Sequence, residues 1–217
     1  MKQNKRKITY ALMLFIALAW SGKTVAQAFK YPDYPDEDKI AVKYQGSHPT
    51  ITDFATAYLE YDREDSDFYR IIYEAWERYL RKEPLGDNVS IDVDVKNGYM
   101  QYEKINPEEN DTIVFEMCYW NCADGKQKLV CANAIWMMED DYGSTVGTVF
   151  LVYDNAKKTM RFILPEDIGA LYDGDGLSVF FLPRKGKDIR VSAAGSGERW
   201  NEVLEWDGFQ FNSKEVP

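Results

Sequence analysis

The sequence predicts an α+β fold with two N-terminal helices packed on a meandering antiparallel β-sheet or sandwich of about ten strands. Three observations favour this fold. Two segments between residues 50 and 82 repeat apolar residues at helical spacing, and the chain after residue 88 alternates apolar and polar residues. Tight-turn pairs such as Asn97-Gly98 then separate one strand from the next. We expect a signal peptide (1–26), an extended acidic arm containing prolines (27–47) and a single α+β domain (48–217).

A secretory signal peptide is predicted for residues 1–26. A basic start precedes the apolar run Ile8–Trp20, and small residues then allow cleavage after Ala26 or Ala28. The apolar run is shorter than the roughly 20 residues that a membrane-spanning helix needs. The first cysteine, Cys118, comes too late in the chain to carry a lipid anchor. We therefore expect a secreted or periplasmic protein, with no membrane insertion after signal cleavage.

The charge of the chain argues against nucleic acid as a partner. The full chain has a net charge of −10, and loss of the five basic residues within 1–26 makes it −15. A surface this acidic repels phosphate backbones and anionic membranes. Solubility is the simplest role for this acidity.

Two helices are predicted after the arm. The arm itself, with Pro32 and Pro35 among acidic residues, favours an extended chain with at most a short strand at 40–42. The first helix begins near Thr50 or Thr52, and Ser66 caps the second. The apolar positions of the first helix are Ile51, Phe54, Ala55, Tyr58 and Leu59. Those of the second, which we expect to pack on the sheet, are Phe68, Ile71, Ile72, Ala75, Trp76, Tyr79 and Leu80.

The remaining chain reads as strands that pair around short turns. No motif recurs at a fixed period, which argues against a propeller or solenoid. The predicted pairs are 89–95 with 99–103, 112–121 with 126–137, 146–153 with 158–164, 177–182 with 189–193, and 203–206 with 209–211.

All three cysteines lie in one predicted hairpin. If Asp124-Gly125 is a two-residue turn, Cys118 faces Cys131 as a non-hydrogen-bonded pair, close enough for a disulfide. An exported protein meets oxidising conditions, so we predict a Cys118–Cys131 bridge with Cys122 unpaired. The alternative is that all three are small buried residues.

The sequence contains no recognisable catalytic or metal-binding constellation. The single histidine, His48, lies in a loop before the first helix and has no nucleophile arranged around it. One histidine also excludes the usual zinc motifs, so we predict neither a metal site nor a cofactor. Among 36 acidic residues some carboxylates will lie close together, so a glycoside hydrolase pair stays open.

Aromatic side chains are the strongest candidates for a binding surface. Aromatics make up 15% of the chain, and most of them will belong to the core. We expect one or two to be exposed as stacking platforms for a sugar or a partner protein. The candidates are Tyr119, Trp120, Trp136, Trp200 and Trp206.

Four stretches resemble secreted proteins of Bacteroidota that have no assigned function. They are Val25-Ala26-Gln27, the segment 97–103, the segment 118–125 and the closing segment 205–211. The resemblance spans most of the chain after the signal peptide. It implies export in a Gram-negative cell and carries over no catalytic residues.

These observations predict an exported, non-catalytic protein that binds a partner protein or a glycan through one face of its sheet. The alternative is a hydrolase that cleaves glycan or peptidoglycan with two carboxylates about 5–9.5 Å apart. A third hypothesis is an inhibitor that inserts the acidic turn 139–142 into a basic enzyme site. Which ligand or partner is bound, the oligomeric state and the existence of any activity stay open at this point.

Overall fold

The computed structural model describes residues 31–32, 38–64, 66–138, 141–170, 178–193 and 202–215. This part of the chain forms an α+β fold that is mostly β, with two α-helices preceding most of eleven strands. Every strand pair is antiparallel. The predicted signal peptide, Trp200 and the turn residues Glu139 and Asp140 lie outside the described residues.

Both predicted helices are present. Helix α1 (Ile51–Asp62) begins after Thr50, whose backbone N–H donates to the Asp53 carboxylate at 2.7 Å, and buries all five of its predicted apolar positions. Helix α2 (Asp67–Leu80) buries a narrower stripe than predicted, since Ile71 and Leu80 are 48% and 40% exposed. The amphipathic pattern therefore located α2 but overestimated the width of its buried face.

The strands form a seven-stranded sheet and a four-stranded sheet. The strands β1 to β11 are, in chain order, Lys39–Ala41, Val89–Asp94, Tyr99–Asn106, Asp111–Asn121, Gln127–Met138, Asp141–Asp154, Thr159–Ile163, Ser178–Phe181, Ile189–Ala193, Glu202–Trp206 and Phe211–Glu215. The larger sheet has the order β1-β7-β6-β5-β4-β3-β2, so its strands β2 to β7 form a meander. The smaller sheet has the order β11-β10-β9-β8. All five predicted strand pairs are confirmed.

The seven-stranded sheet is covered differently on its two faces. On the helix-covered face, Phe54 of α1 meets Tyr153 with ring centroids 5.0 Å apart, and Tyr58 stacks on Phe115. On the opposite face, Trp120 of β4 contacts Phe211 of the smaller sheet at 5.3 Å. Aromatic side chains thus dominate both interfaces, as the composition predicted.

The arm is attached to the domain at two described points. Strand β1 adds an edge to the seven-stranded sheet by pairing with β7, close to where a short strand was expected. Tyr31 is buried, and its hydroxyl donates to the backbone carbonyl of Phe209 at 2.6 Å. Tyr31 therefore links the start of the described chain to its C-terminal hairpin.

The cysteine hairpin has the predicted register but a different turn. Cys118 lies opposite Cys131, as predicted. The connection, however, is a four-residue loop (123–126) rather than a two-residue turn, because Cys122 N–H donates to the Gln127 carbonyl at 3.1 Å. Hydrogen-bonded and non-hydrogen-bonded pairs alternate along an antiparallel ladder. Cys118 is four residues from Cys122, so the pair Cys118–Cys131 is hydrogen-bonded like the pair Cys122–Gln127.

The predicted Cys118–Cys131 disulfide is wrong in this structure, where all three cysteines are free and buried. The hydrogen-bonded character of the Cys118–Cys131 pair explains why no bridge forms. In a hydrogen-bonded pair the facing Cα atoms are about 5.5 Å apart and the side chains diverge, whereas a disulfide needs Cβ atoms within about 4.5 Å. The Cys131 thiol instead lies 3.9 Å from the carbonyl oxygen of Ala132. The alternative prediction, that all three cysteines are small buried residues, therefore describes this hairpin.

None of the helices in the described residues combines the length and the apolar character that crossing a bilayer requires.

Candidate functional site

The structure separates the aromatic candidates into core and surface. Trp120 and Trp206 are buried, with ring centroids 6.0 Å apart, and the Trp120 indole N–H donates to the Lys187 carbonyl at 2.7 Å. Tyr119 is half-buried against Phe54, with centroids 5.3 Å apart. Trp136 alone among these four is exposed, at 41%. Trp200 lies outside the described residues.

Tyr119 contributes to packing. The β-carbon that an alanine at position 98 would carry lies 2.7 Å from Cε1 of Tyr119, so this ring fills the space left by Gly98. The ammonium of Lys128 lies 4.8 Å from the centroid of the same ring, within the range of a cation–π contact. Burial lowers the pKa of Lys128. We therefore assign Tyr119 to the structure of the sheet.

Trp136 lies near the end of β5 on the helix-covered face. It pairs with Ile113 of β4, whose side chain packs against the core beneath the helices, and paired residues project from the same face. The ladder between β5 and β6 is irregular on both sides of Trp136, between residues 134 and 135 and between 136 and 138. Bulges of this kind redirect side chains and are frequent beside binding sites.

A carboxylate holds the exposed indole in place. The Nε1–H group of Trp136 donates to Oδ2 of Asp111 at 2.9 Å. Asp111 is buried, and its other oxygen accepts a hydrogen bond from the side-chain amide of Asn106. Because Asn106 and Asp111 pair across the β3–β4 turn, the hairpin itself positions the acceptor. The Trp136 ring is therefore partly exposed to solvent, while the hydrogen bond at its N–H edge holds it in place.

Trp136 forms one wall of a groove of about 660 Å³, which we call the Trp136 groove. Its other walls come from the first turn of α2, the chain entering β2 and the β3–β4 turn. The apolar contributors include Phe68, Ile105 and Ile113. The charged residues of the lining are Asp87, Lys104, Glu108, Glu109 and Asp111, so carboxylates outnumber the single amine.

The Trp136 groove suits a ligand that has both an apolar face and polar edges. Ligand sites of this size are mostly apolar, with a few polar groups that fix the orientation of the ligand. The indole provides a flat stacking surface, while Asn88, Lys104 and Glu108 provide hydrogen-bonding groups around it. A sugar ring, with C–H groups on its faces and hydroxyls on its rim, has this character.

A second cavity, of about 710 Å³, contains the buried carboxyl group of Glu116. Glu116 Oε1 accepts hydrogen bonds from the Leu182 N–H at 2.7 Å and from the Asn133 amide at 3.1 Å. Asn133 also donates to the Phe180 carbonyl at 2.7 Å, so this cluster joins β4 and β5 to the end of β8. Burial raises the pKa of Glu116, an effect that its hydrogen-bond donors oppose.

The Tyr99 hydroxyl contacts both Glu116 and Gln101. It donates to Glu116 Oε2 at 2.8 Å and lies 3.0 Å from Gln101 Oε1. The Gln101 amide in turn lies 3.4 Å from Glu103 Oε2.

Glu116 does not suit the predicted hydrolase. Burial raises the pKa of Glu116, as a general acid requires. Its oxygens, however, are occupied by three protein groups, and its side chain is not accessible to a substrate. The hydrolase alternative thus stays a prediction without a specific residue to support it.

The described residues hold no cluster of three or more histidine, cysteine or acidic side chains that could bind a metal ion. His48 is exposed in its loop, as predicted. The thiols are poor nucleophiles, because burial raises the pKa of Cys118, Cys122 and Cys131.

Sequence analysis missed Asp111 and Glu116. The signal for Glu116 was a lone acid inside an apolar strand, where a carboxyl group needs hydrogen-bond partners. Asp111 resembled any other acid in a polar loop, and only the folded hairpin brings it to Trp136.

Comparison of the chain with protein-family profiles, curated proteins and solved structures finds no match. The site itself therefore carries the functional argument.

Proposed function

We propose that this chain is an exported, non-catalytic protein that binds a glycan in the Trp136 groove on the helix-covered face of its sheet. The observation that carries the proposal is the state of Trp136, whose ring is 41% exposed while its edge is hydrogen-bonded to Asp111. Export is supported by the basic and apolar pattern of residues 1–26.

A fixed, exposed indole favours binding because little side-chain entropy is lost when the ligand arrives. Immobilising a free side chain costs about 0.5–1.5 kcal/mol, and the bond to Asp111 incurs this cost during folding instead. The irregular β5–β6 ladder beside Trp136 is a further feature that packing of the core does not require.

The charge of the groove favours an uncharged sugar. Asp87, Glu108, Glu109 and Asp111 line it together with one lysine, Lys104. Uronic acids and sulfated glycans would meet repulsion there, whereas neutral hydroxyls would find both hydrogen-bond donors and acceptors. We therefore propose neutral oligosaccharides as the ligand class.

We also propose that the two sheets form a sandwich, which the ring contacts of Trp120 with Trp206 and Phe211 support. The four-stranded sheet then covers the face opposite the helices. In this arrangement the Trp136 groove opens on the helix side, away from the smaller sheet.

A partner protein is the second candidate, favoured by the exposed Ile71 and Leu80 on α2. Ile71 borders a further cavity with Ala75 and Val89, which adjoins the Trp136 groove at Asp87 and Lys104. A partner bound at α2 would be lost on substitution of Ile71 and unaffected by substitution of Trp136.

Isothermal titration calorimetry tests the glycan proposal. The mature protein is titrated with short cello-, malto- and chito-oligosaccharides, and the tightest ligand is then tested on Trp136→Ala. We expect a loss of affinity on the order of tenfold to a hundredfold, because aromatic anchors dominate binding energy. Leu164→Ala removes an exposed apolar side chain outside the groove and should leave affinity unchanged. Equal affinity of Trp136→Ala and wild type contradicts the proposal.

A further inference from the structure

The Trp136 groove continues into a neighbouring cavity of about 260 Å³, which we call the α2 cavity. Asp87 and Lys104 line both spaces, so the two meet along a shared wall. The further residues of the α2 cavity that matter for its chemistry are Ile71, Glu74, Ala75, Arg78, Val89 and Tyr102. A ligand that extends past Lys104 from the groove therefore enters the α2 cavity.

A row of facing residues connects the two spaces across the sheet. Trp136 of β5 faces Ile113 of β4, and Ile113 faces Lys104 of β3. Lys104 in turn faces Val89 of the edge strand β2. Facing residues project from the same face, and neighbouring strands lie about 4.8 Å apart, so the row spans about 14 Å. This length exceeds that of a single sugar ring and favours an extended oligosaccharide.

One side of α2 forms the opposite wall of both spaces. Phe68 lines the Trp136 groove, whereas Ile71, Ala75 and Arg78 line the α2 cavity. These positions are three or four residues apart, so they lie on one face of the helix. Ile71 is 48% exposed there. An exposed apolar side chain along the wall suits contact with the C–H face of a sugar ring.

The charges around the α2 cavity are balanced. Glu74 and Asp87 provide two carboxylates, and Arg78 and Lys104 provide two cations. A lining without net charge gives no preference for a charged ligand, whereas neutral hydroxyls find both donors and acceptors in it. The α2 cavity thus suits the same uncharged ligand class as the groove.

Tyr102 provides the α2 cavity with a hydroxyl that is free to bind a ligand. Tyr102 is 1% exposed, and its hydroxyl forms no hydrogen bond with any residue that the structure describes. Burial raises the pKa of Tyr102 to about 12, so the hydroxyl is neutral and can both donate and accept. Hydroxyls on buried side chains usually have a partner, and a ligand in the adjoining cavity can supply one.

We propose that the α2 cavity is a second sugar subsite, so that the protein selects linear neutral oligosaccharides that extend from Trp136 to Tyr102. Trp136 stacks on a ring at one end, and the Tyr102 hydroxyl bonds to a ring at the other end, with Asp87 and Lys104 between them. This inference rests on the proposed function and adds a requirement for ligand length. Short oligosaccharides occupy the groove alone, whereas longer ones gain the contacts of the α2 cavity.

Calorimetry with cello-, malto- and chito-oligosaccharides of increasing length, from disaccharide to pentasaccharide, tests the second subsite. We expect the affinity of wild type to rise by about tenfold along the series that binds, and to level off once both spaces are filled. Equal affinity at every length would overturn the second subsite and leave the proposed function standing. Absence of binding at every length would overturn both.

Tyr102→Phe locates the far subsite. It removes the hydroxyl and keeps the ring, so affinity for the longest ligand should fall about fivefold while affinity for the shortest ligand that binds stays unchanged. Tyr153→Phe is the matched control, because it removes a hydroxyl from a buried tyrosine that lines neither space. The control should bind every ligand like wild type. Equal losses in the two variants would overturn the assignment, and circular dichroism melting checks that both remain folded.

Ala75→Leu tests the subsite from the helix side. It adds a larger side chain at the wall of the α2 cavity and keeps a good helix former in α2. The gain of affinity with length should disappear in Ala75→Leu and persist in Ala75→Ser, which leaves the cavity open. Trp136→Ala should instead weaken binding at every length, because all the ligands use the groove. A full gain with length in Ala75→Leu would overturn the second subsite alone.

Discussion

The indole of Trp136 and the carboxylate of Asp111 are joined by a hydrogen bond of 2.9 Å between side chains 25 residues apart. The bond connects β5 to β4 at the end of the sheet where α2 begins. Asp111 also accepts from Asn106, so one buried acid fixes both an exposed ring and a turn. We regard this pair as the central feature of the proposed binding site.

Substitution of Asp111 tests whether the ring must be held. Asp111→Asn keeps an oxygen acceptor for the indole, so oligosaccharide affinity should change by no more than about threefold. Asp111→Ala leaves the indole N–H and the Asn106 amide without an acceptor, and affinity should fall about tenfold with a stability loss of about 1–2 kcal/mol. Calorimetry and urea unfolding measure the two effects. An unchanged affinity in Asp111→Ala would show that ring orientation is irrelevant.

Glu116→Gln should remove part of the pH dependence of stability. Folded Glu116 keeps its proton above its ordinary pKa of 4.5, so between that value and the raised pKa the folded state binds more protons than the unfolded state. Raising the pH through this window lowers the free energy of unfolding, and below 4.5 the effect vanishes because both states are protonated.

Glutamine mimics the protonated acid, because its amide can donate to Tyr99 and its oxygen can accept from Leu182 and Asn133. Near pH 5 the variant should therefore unfold within about 1 kcal/mol of wild type. Urea unfolding at about pH 5 and about pH 8 should show wild type losing stability relative to the variant as pH rises. Parallel pH profiles would mean that folding does not raise the pKa of Glu116.

The cysteine thiols should be free and protected. We expect Ellman's reagent to label none of the three cysteines in the native protein and all three after unfolding without reductant. Burial raises the pKa of Cys118 and Cys131, which slows their reaction further. A single reactive thiol in the unfolded, unreduced protein would show that two of the three cysteines are bridged and would contradict this prediction.

Two glycines with similar backbone angles form a matched pair for testing the packing of Tyr119. Gly98 has φ +69° and Gly125 has φ +66°, so alanine at either site meets a similar backbone penalty of about 1–2 kcal/mol. Only at Gly98 does the new β-carbon meet Tyr119, at 2.7 Å. Gly98→Ala should therefore lose about 1 kcal/mol more stability than Gly125→Ala in urea unfolding. Equal losses would show that the Tyr119 ring moves without cost.

Local patterns predicted the elements and the register of the fold well. Cys118 was placed opposite Cys131 by counting from the turn, because the number of residues around a hairpin determines which residues face each other. The disulfide prediction was wrong because one register allows two hydrogen-bonding patterns. Cys118 and Cys131 can face each other either as a hydrogen-bonded or as a non-hydrogen-bonded pair. The four-residue loop makes Cys118–Cys131 a hydrogen-bonded pair, in which the side chains lie further apart. A turn dipeptide such as Asp124-Gly125 does not by itself distinguish a two-residue turn from a four-residue loop.

The site was less accessible to sequence reasoning. Trp120 and Trp136 both lie in largely apolar strand segments, yet Trp120 is buried and Trp136 lies at a sheet end that α2 leaves open. Trp206, which stands between two acidic residues, is buried. Exposure of this kind depends on where a helix begins relative to the strands, which is a tertiary relationship. The same reason explains why Ile71 and Leu80, on the predicted buried stripe, are exposed.

The most direct test of the account is a two-dimensional NMR titration of the tryptophan indole N–H signals with the best neutral oligosaccharide. The chain has six tryptophans, and the signal of Trp136 is identified by its disappearance in Trp136→Phe. We expect the Trp136 indole signal to shift in a saturable manner, while those of the buried Trp76, Trp120 and Trp206 stay in place. Saturable binding that shifts any of these buried signals but not that of Trp136 would contradict the Trp136 groove as the binding site.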